Sequence, residues 1–178
     1  MEANTVLKAR HLSYQTRLDT YKNLWIQNVE NSLGYVCSQN LNYRLKDYQH
    51  PATAKAYERA LGLERLRELC DIKERLSTNF VLSAEGKLLE VEFIAAADTS
   101  LTVNEIEALE TALKSNLIFR ISWLDDNEAD FVSVSSGQSY DFILHLLQNG
   151  VSDEQQMKVK ITNVKLTPPP LPDHLKNL

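Results

Sequence analysis

The chain has 178 residues, 43% of them hydrophobic and 24% charged, a composition that excludes disorder and collagen-like repeats and allows a buried core. Its apolar runs, such as Leu88–Leu89 or Ile143–Leu144, stop far short of the roughly 20 residues that a spanning helix needs. The net charge of −5 is uneven: residues 1–77 carry 12 Lys+Arg against 9 Asp+Glu, and residues 78–167 carry 6 against 14, which argues against nucleic acid as a partner.

The first five residues show neither the basic nor the apolar region of a signal peptide, so the chain is expected where thiols stay reduced. Cys37 and Cys70 are then free, and their separation matches no metal-ligand spacing. From Thr5 to about Leu33 there is no Gly or Pro before Gly34, and Leu7, His11, Tyr14, Leu18, Tyr21 and Trp25 alternate in steps of four and three. That heptad seam, stepping on by fours to Val29 and Leu33, predicts a long amphipathic helix. The helix either packs on its own chain or joins an inter-subunit bundle, with Tyr14, Leu18, Tyr21 and Trp25 as the interface.

Tyr35 to Tyr48 reads as helical. His50–Pro51 then opens a helix over 52–61, Gly62 interrupts it, and Leu63, Leu66, Leu69, Cys70, Ile72 and Leu76 mark another ending near Ser77. At Thr78 the period becomes alternating. Phe80 and Leu82, the Ala84–Lys87 turn, and Leu89, Val91 and Phe93 predict a hairpin with Glu90 and Glu92 on a wet face. Thr102 with Glu105 is a capping box, so a helix is expected from Val103 to about Lys114.

Leu117–Leu124 and Asp130–Val134 flank the Asp125–Glu128 turn as a second hairpin, and Ser139–Gln148 forms a short helix closed by Asn149–Gly150. Met157, Val159 and Ile161 alternate into a last strand near Leu166. The expected fold is α+β: a helical segment over 1–77, a mainly antiparallel ββαββαβ domain over 78–167, and a proline-rich arm over 168–178. Pro168–Pro172 would extend as a polyproline segment, carrying Leu171 and Leu175 toward a groove.

Chemistry is sparse. Five scattered glycines exclude phosphate-cradling loops and dinucleotide fingerprints, and four single histidines give no metal site. Asp125, Asp126, Glu128 and Asp130 lack the ligand spacing of a calcium loop. Ser135–Ser139 has no nucleophile-elbow motif, and Glu90 with Glu92 reads as a solvated strand face before it reads as an acid–base pair. No catalytic, cofactor or metal residues are expected.

The stretch from Gly86–Val91 through Asp98–Ser100 and Ile106 to Ile121–Trp123, Asp126–Asn127 and Val132–Val134 resembles an uncharacterised domain of phage tail fibre regions, over residues 78–148. The resemblance implies a virion or fibre-assembly component, not an enzyme, and carries over no catalytic residues. The resulting expectation is a structural or assembly protein such as a tail, baseplate or fibre-connecting subunit. It would sit in a virion or host cytoplasm, with other protein subunits or copies of itself as partners. A cytosolic protein-binding adaptor is the alternative, and an enzyme whose site the sequence hides is the third.

Overall fold

The computed structural model describes residues 1, 4–33, 43–45, 50–124, 129–137 and 139–149. It opens with strands where the heptad pattern predicts a helix. β1 (Val6–Lys8), β2 (Ser13–Leu18) and β3 (Asn23–Asn28) form an antiparallel meander. The turns need no Gly or Pro. Ala9 N donates to Leu12 O at 2.9 Å, and the Asp19 carboxylate accepts from the backbone N–H of Tyr21 and Asn23 at 2.8 and 2.9 Å. This is an Asx-type turn, in which a side chain replaces a backbone acceptor. Lys22 closes it at φ 64°.

A three-residue strand, β4 (Tyr43–Leu45), stands where helix was expected. The helix α1 (His50–Asp71) follows, with Gly62 at φ 78°, ψ 158° interrupting it as the sequence predicts. It ends before the strand β5 (Leu76–Ser83), which pairs with β6 (Leu88–Ala96) as the expected hairpin. Gly86 is required in that turn: its φ is +85°, and a Cβ there would lie 1.7 Å from the Phe119 carbonyl oxygen. The helix α2 (Val103–Asn116) carries the full Thr102–Glu105 capping box. The second hairpin does not form. β7 (Ile121–Trp123) pairs with β4, whereas β8 (Phe131–Gly137) pairs with β5. α3 (Tyr140–Asn149) covers the last predicted helix.

The main sheet has the order β1-β2-β3-β6-β5-β8, antiparallel throughout, so it runs across the residue-77 boundary. An α+β fold is confirmed; the N-terminal helix is not. Leu24, Ile26, Val91, Phe93, Phe80 and Leu82 alternate onto one face and join Leu66, Leu69, Ile106, Leu109, Leu113 and Ile143 of the helices in a single core. Each such side chain stabilises the fold by about 1.5–3 kcal/mol through removal from water. α1 lies between α2 and α3 in the helix layer. Arg65 ties α1 to the start of α2, reaching Glu105 Oε1 at 2.7 Å and donating to Ser100 O at 2.9 Å. Cys70 is a free thiol and donates to Asp141 Oδ1 at 2.8 Å, linking α1 to α3.

Cys37, Asp125–Glu128, Gly150, the segment near Met157–Leu166, and the arm with Leu171 and Leu175 lie outside the described residues.

Candidate functional site

Strand alternation gives the sheet a second face on which none of the described helices packs. In one row Arg17, Trp25, Ile94 and Ser77 stand opposite one another across β2, β3, β6 and β5. In the next, Gln15, Gln27, Glu92, Asn79 and Ser135 make a ladder of polar side chains across five strands. A third row, Glu90, Val81 and Ser133, is buried. Residues just after β3, and Tyr43 of β4, bond to members of that third row. Ser32 N and Leu33 N donate to Glu90 Oε1 at 2.6 and 2.9 Å, and Tyr43 Oη donates to Ser133 O at 3.0 Å. The wet face expected for Glu90 is therefore corrected: its carboxylate is buried as an acceptor for two backbone N–H groups.

The polar ladder has a direction. Ser135 Oγ donates to Asn79 Oδ1 at 2.8 Å, and Asn79 Nδ2 donates to Glu92 Oε2 at 2.9 Å. An amide oxygen is too weak a base to take a hydroxyl proton, so this chain does not activate Ser135 as a nucleophile. Burial pushes the Glu92 carboxyl above the usual glutamate range, against the Asn79 hydrogen bond and the charge of Arg17, which pull it down. Beside the ladder, the Arg17 guanidinium carbon sits 5.1 Å from the centroid of the Trp25 ring. Trp25 Nε1 donates to Asp19 Oδ2 at 2.9 Å, and that bond, with the N–H groups of Asn23 and Tyr21, holds Asp19 down to about 2. Gln27, Asn31, Asn79, Val81, Glu90 and Glu92 border a shallow depression.

Two further carboxylates lie on the helix-covered face. Glu110 is 1% exposed and accepts from Tyr14 Oη at 2.6 Å, from Asn28 Nδ2 at 3.2 Å and from Lys114 Nζ at 2.7 Å. Burial pushes up the pKa of the Tyr14 hydroxyl, and its bond to Glu110 adds to this. Glu107 accepts from the backbone N–H of His11 and Leu12; burial raises its pKa, but these bonds outweigh it and hold the carboxyl below the usual range. Both acids clamp the N-terminal meander onto α2.

The residues expected at an interface are dispersed. Tyr14 belongs to the core; Leu18 is on the helix side of the sheet at the end of β2; Tyr21, 85% exposed, tips the β2–β3 turn; Trp25 alone stands on the open face. Ser136 faces the helix layer, across the sheet from Glu90, and His145 is exposed on α3 with its Nδ1 3.1 Å from Asn149 Nδ2. These three are not brought together. Among the described residues no group of three His, Cys, Asp or Glu side chains is placed to hold a metal ion, and no helix is long and apolar enough to cross a membrane. The sequence reading missed Gln27 and Asn79, although the alternation of Asn23–Asn28 and of Asn79–Val81 with Phe80 was its available signal.

No protein family matches the sequence, and no curated protein matches it. The fold is similar to the crystal structure of a DUF5043 family protein from Bacteroides uniformis ATCC 8492, with a TM-score of 0.60 at 17% identity, over 76% of this chain and 90% of that chain. At that identity the likeness shows the fold alone.

Proposed function

We propose that this chain is a non-enzymatic protein-binding subunit of a larger assembly and engages its partner through the open face of the sheet. The observation that carries this reading is the five-strand polar ladder flanked by Trp25 and Arg17, on a face that the described helices leave uncovered. Aromatic and arginine side chains set among hydrogen-bonding groups are the composition of protein interfaces. A shallow depression suits a side chain of a partner better than an enclosed small molecule. The virion or fibre setting implied by the resemblance names one class of partner, and Leu171 and Leu175 of the arm would add a second contact in the same assembly.

A photo-crosslinking residue placed at Gln15, exposed on the open face, should capture one partner protein in cells of the native source, while the same residue at Lys55, exposed on α1, should not. Trp25→Ala should weaken the complex by a factor of about 30, as loss of an interfacial aromatic does. Capture from Lys55 and none from Gln15 would place the contact on the helix layer and end this reading. The captured protein also separates the settings, because a virion component supports fibre assembly and a soluble host protein supports an adaptor.

A further inference from the structure

We propose that one arginine side chain of the partner lies over the depression on the open face, its guanidinium held between Glu92 and Gln27. The inference rests on the protein-binding reading above and names the chemistry of the contact. The described residues that border the depression are two carboxylates, three amides and an apolar wall, with no cation among them. Arg17, the cation whose charge reaches Glu92, already lies over the Trp25 ring. Of the two carboxylates, Glu90 is engaged by the Ser32 and Leu33 N–H groups. Among the described residues Glu92 is bound only at Oε2, by Asn79, and so presents Oε1 as an acceptor.

Gln27 is the direct cross-strand neighbour of Glu92, and in an antiparallel pair that sets the two Cβ atoms about 5 Å apart. A planar guanidinium with forked donors spans such a pair, one arm on Glu92 Oε1 and another on the Gln27 side-chain oxygen. A lysine ammonium would answer the charge but not the two-point geometry, and a neutral amide would answer the geometry but not the charge. Burial disfavours ionisation of Glu92 in the free protein, and an arriving cation restores it. Asn79, fixed from behind by Ser135, keeps the carboxylate from turning away.

The test uses the full-length chain and two probes, acetyl-arginine amide and its uncharged isostere acetyl-citrulline amide, at constant ionic strength and pH 7. The side-chain amide resonances of Gln27 and Asn79 should shift saturably with the arginine probe. Binding of the citrulline probe should be at least about ten-fold weaker, because it lacks the charge-assisted bonds. Glu92→Gln should abolish the difference between the two probes while preserving the spectrum of the folded protein. Gln27→Ala provides a second variant, and it should weaken the arginine probe and leave Asn79 bonded to Glu92. Equal affinity for both probes, undiminished arginine binding in either variant, or no shift would overturn the inference. So would a photo-crosslinker at Gln27 that joins to a second copy or to another part of this chain. If capture from Gln15 persists at full yield in Glu92→Gln, the open-face reading stands and only the arginine contact falls.

Discussion

Tyr14 and Tyr140 provide one chemical change with two opposite outcomes. Tyr14 is fully buried and its hydroxyl donates to the buried Glu110 carboxylate at 2.6 Å. Tyr14→Phe removes one of the donors that compensate a charge held away from water, and a hydrogen bond to a charged group contributes about 1.5–3 kcal/mol. Tyr140 is 2% exposed, packs edge-on against Tyr57, and its hydroxyl has no hydrogen-bond partner among the described residues. Tyr140→Phe removes a polar group that was desolvated without compensation, so it should be neutral or stabilise by up to about 1 kcal/mol. Urea unfolding followed by tryptophan fluorescence reads both. With a slope near 2 kcal/mol per molar, Tyr14→Phe should lower the midpoint by about 1 M, and Tyr140→Phe should leave it or raise it slightly. Neither variant should alter oligomeric state, since both rings are in the core. Losses of the same sign and size would refute the assignment of these hydroxyls. A change of assembly in Tyr14→Phe would return that residue to the interface its spacing suggested.

Gly86→Ala should destabilise by about 3 kcal/mol or more, because a Cβ would meet the Phe119 backbone, whereas Gly62→Ala should cost about 1–3 kcal/mol from backbone strain alone, nothing lying within 4 Å; thermal melts rank the two. Thr102→Ala removes the N-cap of α2 and should lower stability by about 1 kcal/mol in the same urea assay. Glu107 titrates below its ordinary value of 4.5 in the folded chain, so its contribution is complete above that value and is lost as pH falls through the folded pKa. Glu107→Gln should therefore flatten the decline of stability with acid below about pH 5, and an unchanged slope would show that the His11 and Leu12 bonds do not favour the ionised form.

The sequence carried the helices and the first hairpin well from α1 onward, missed the pairing of β7 and β8, and carried the segment before α1 poorly. Gly62, the Ala84–Lys87 turn and the Thr102–Glu105 box are local signals, each with its own mechanism, and each stands where it was read. The N-terminal seam was built from residues of three strands and their turns. Tyr14 belongs to β2, Tyr21 to the β2–β3 turn and Trp25 to β3, so their three-and-four spacing reflects strand and turn lengths, not a helical face. The competing signal was the alternation of Leu24, Ile26 and Asn28, all buried, with Asn23, Trp25 and Gln27, all partly exposed. The helical reading rests instead on the three-and-four spacing in a segment without Gly or Pro. Asp19 shows why that test fails, since a carboxylate that accepts two backbone N–H groups turns the chain as well as a glycine does.

The open face was half legible for a different reason. Alternation around Val91 and Phe93 correctly sets Glu90 and Glu92 on the opposite side from the core, but it says nothing about what lies over that side. Which carboxylate is engaged depends on a non-local event: the chain after β3 brings Ser32 and Leu33 onto Glu90, 58 and 57 residues away in sequence, while Glu92 accepts from Asn79. Asn79 is informative only once β5 is known to pair with both β6 and β8, because that double pairing sets its amide between Glu92 and Ser135. Two glutamates that look equivalent in the sequence thus acquire different roles. Among the described residues Glu90 accepts from two backbone N–H groups, and Glu92 accepts from Asn79 through one oxygen. The same logic applies to Glu107 and Glu110: nothing local to α2 marks them as buried, and they become so because the N-terminal meander brings the His11 and Leu12 N–H groups to Glu107 and the Tyr14 hydroxyl to Glu110.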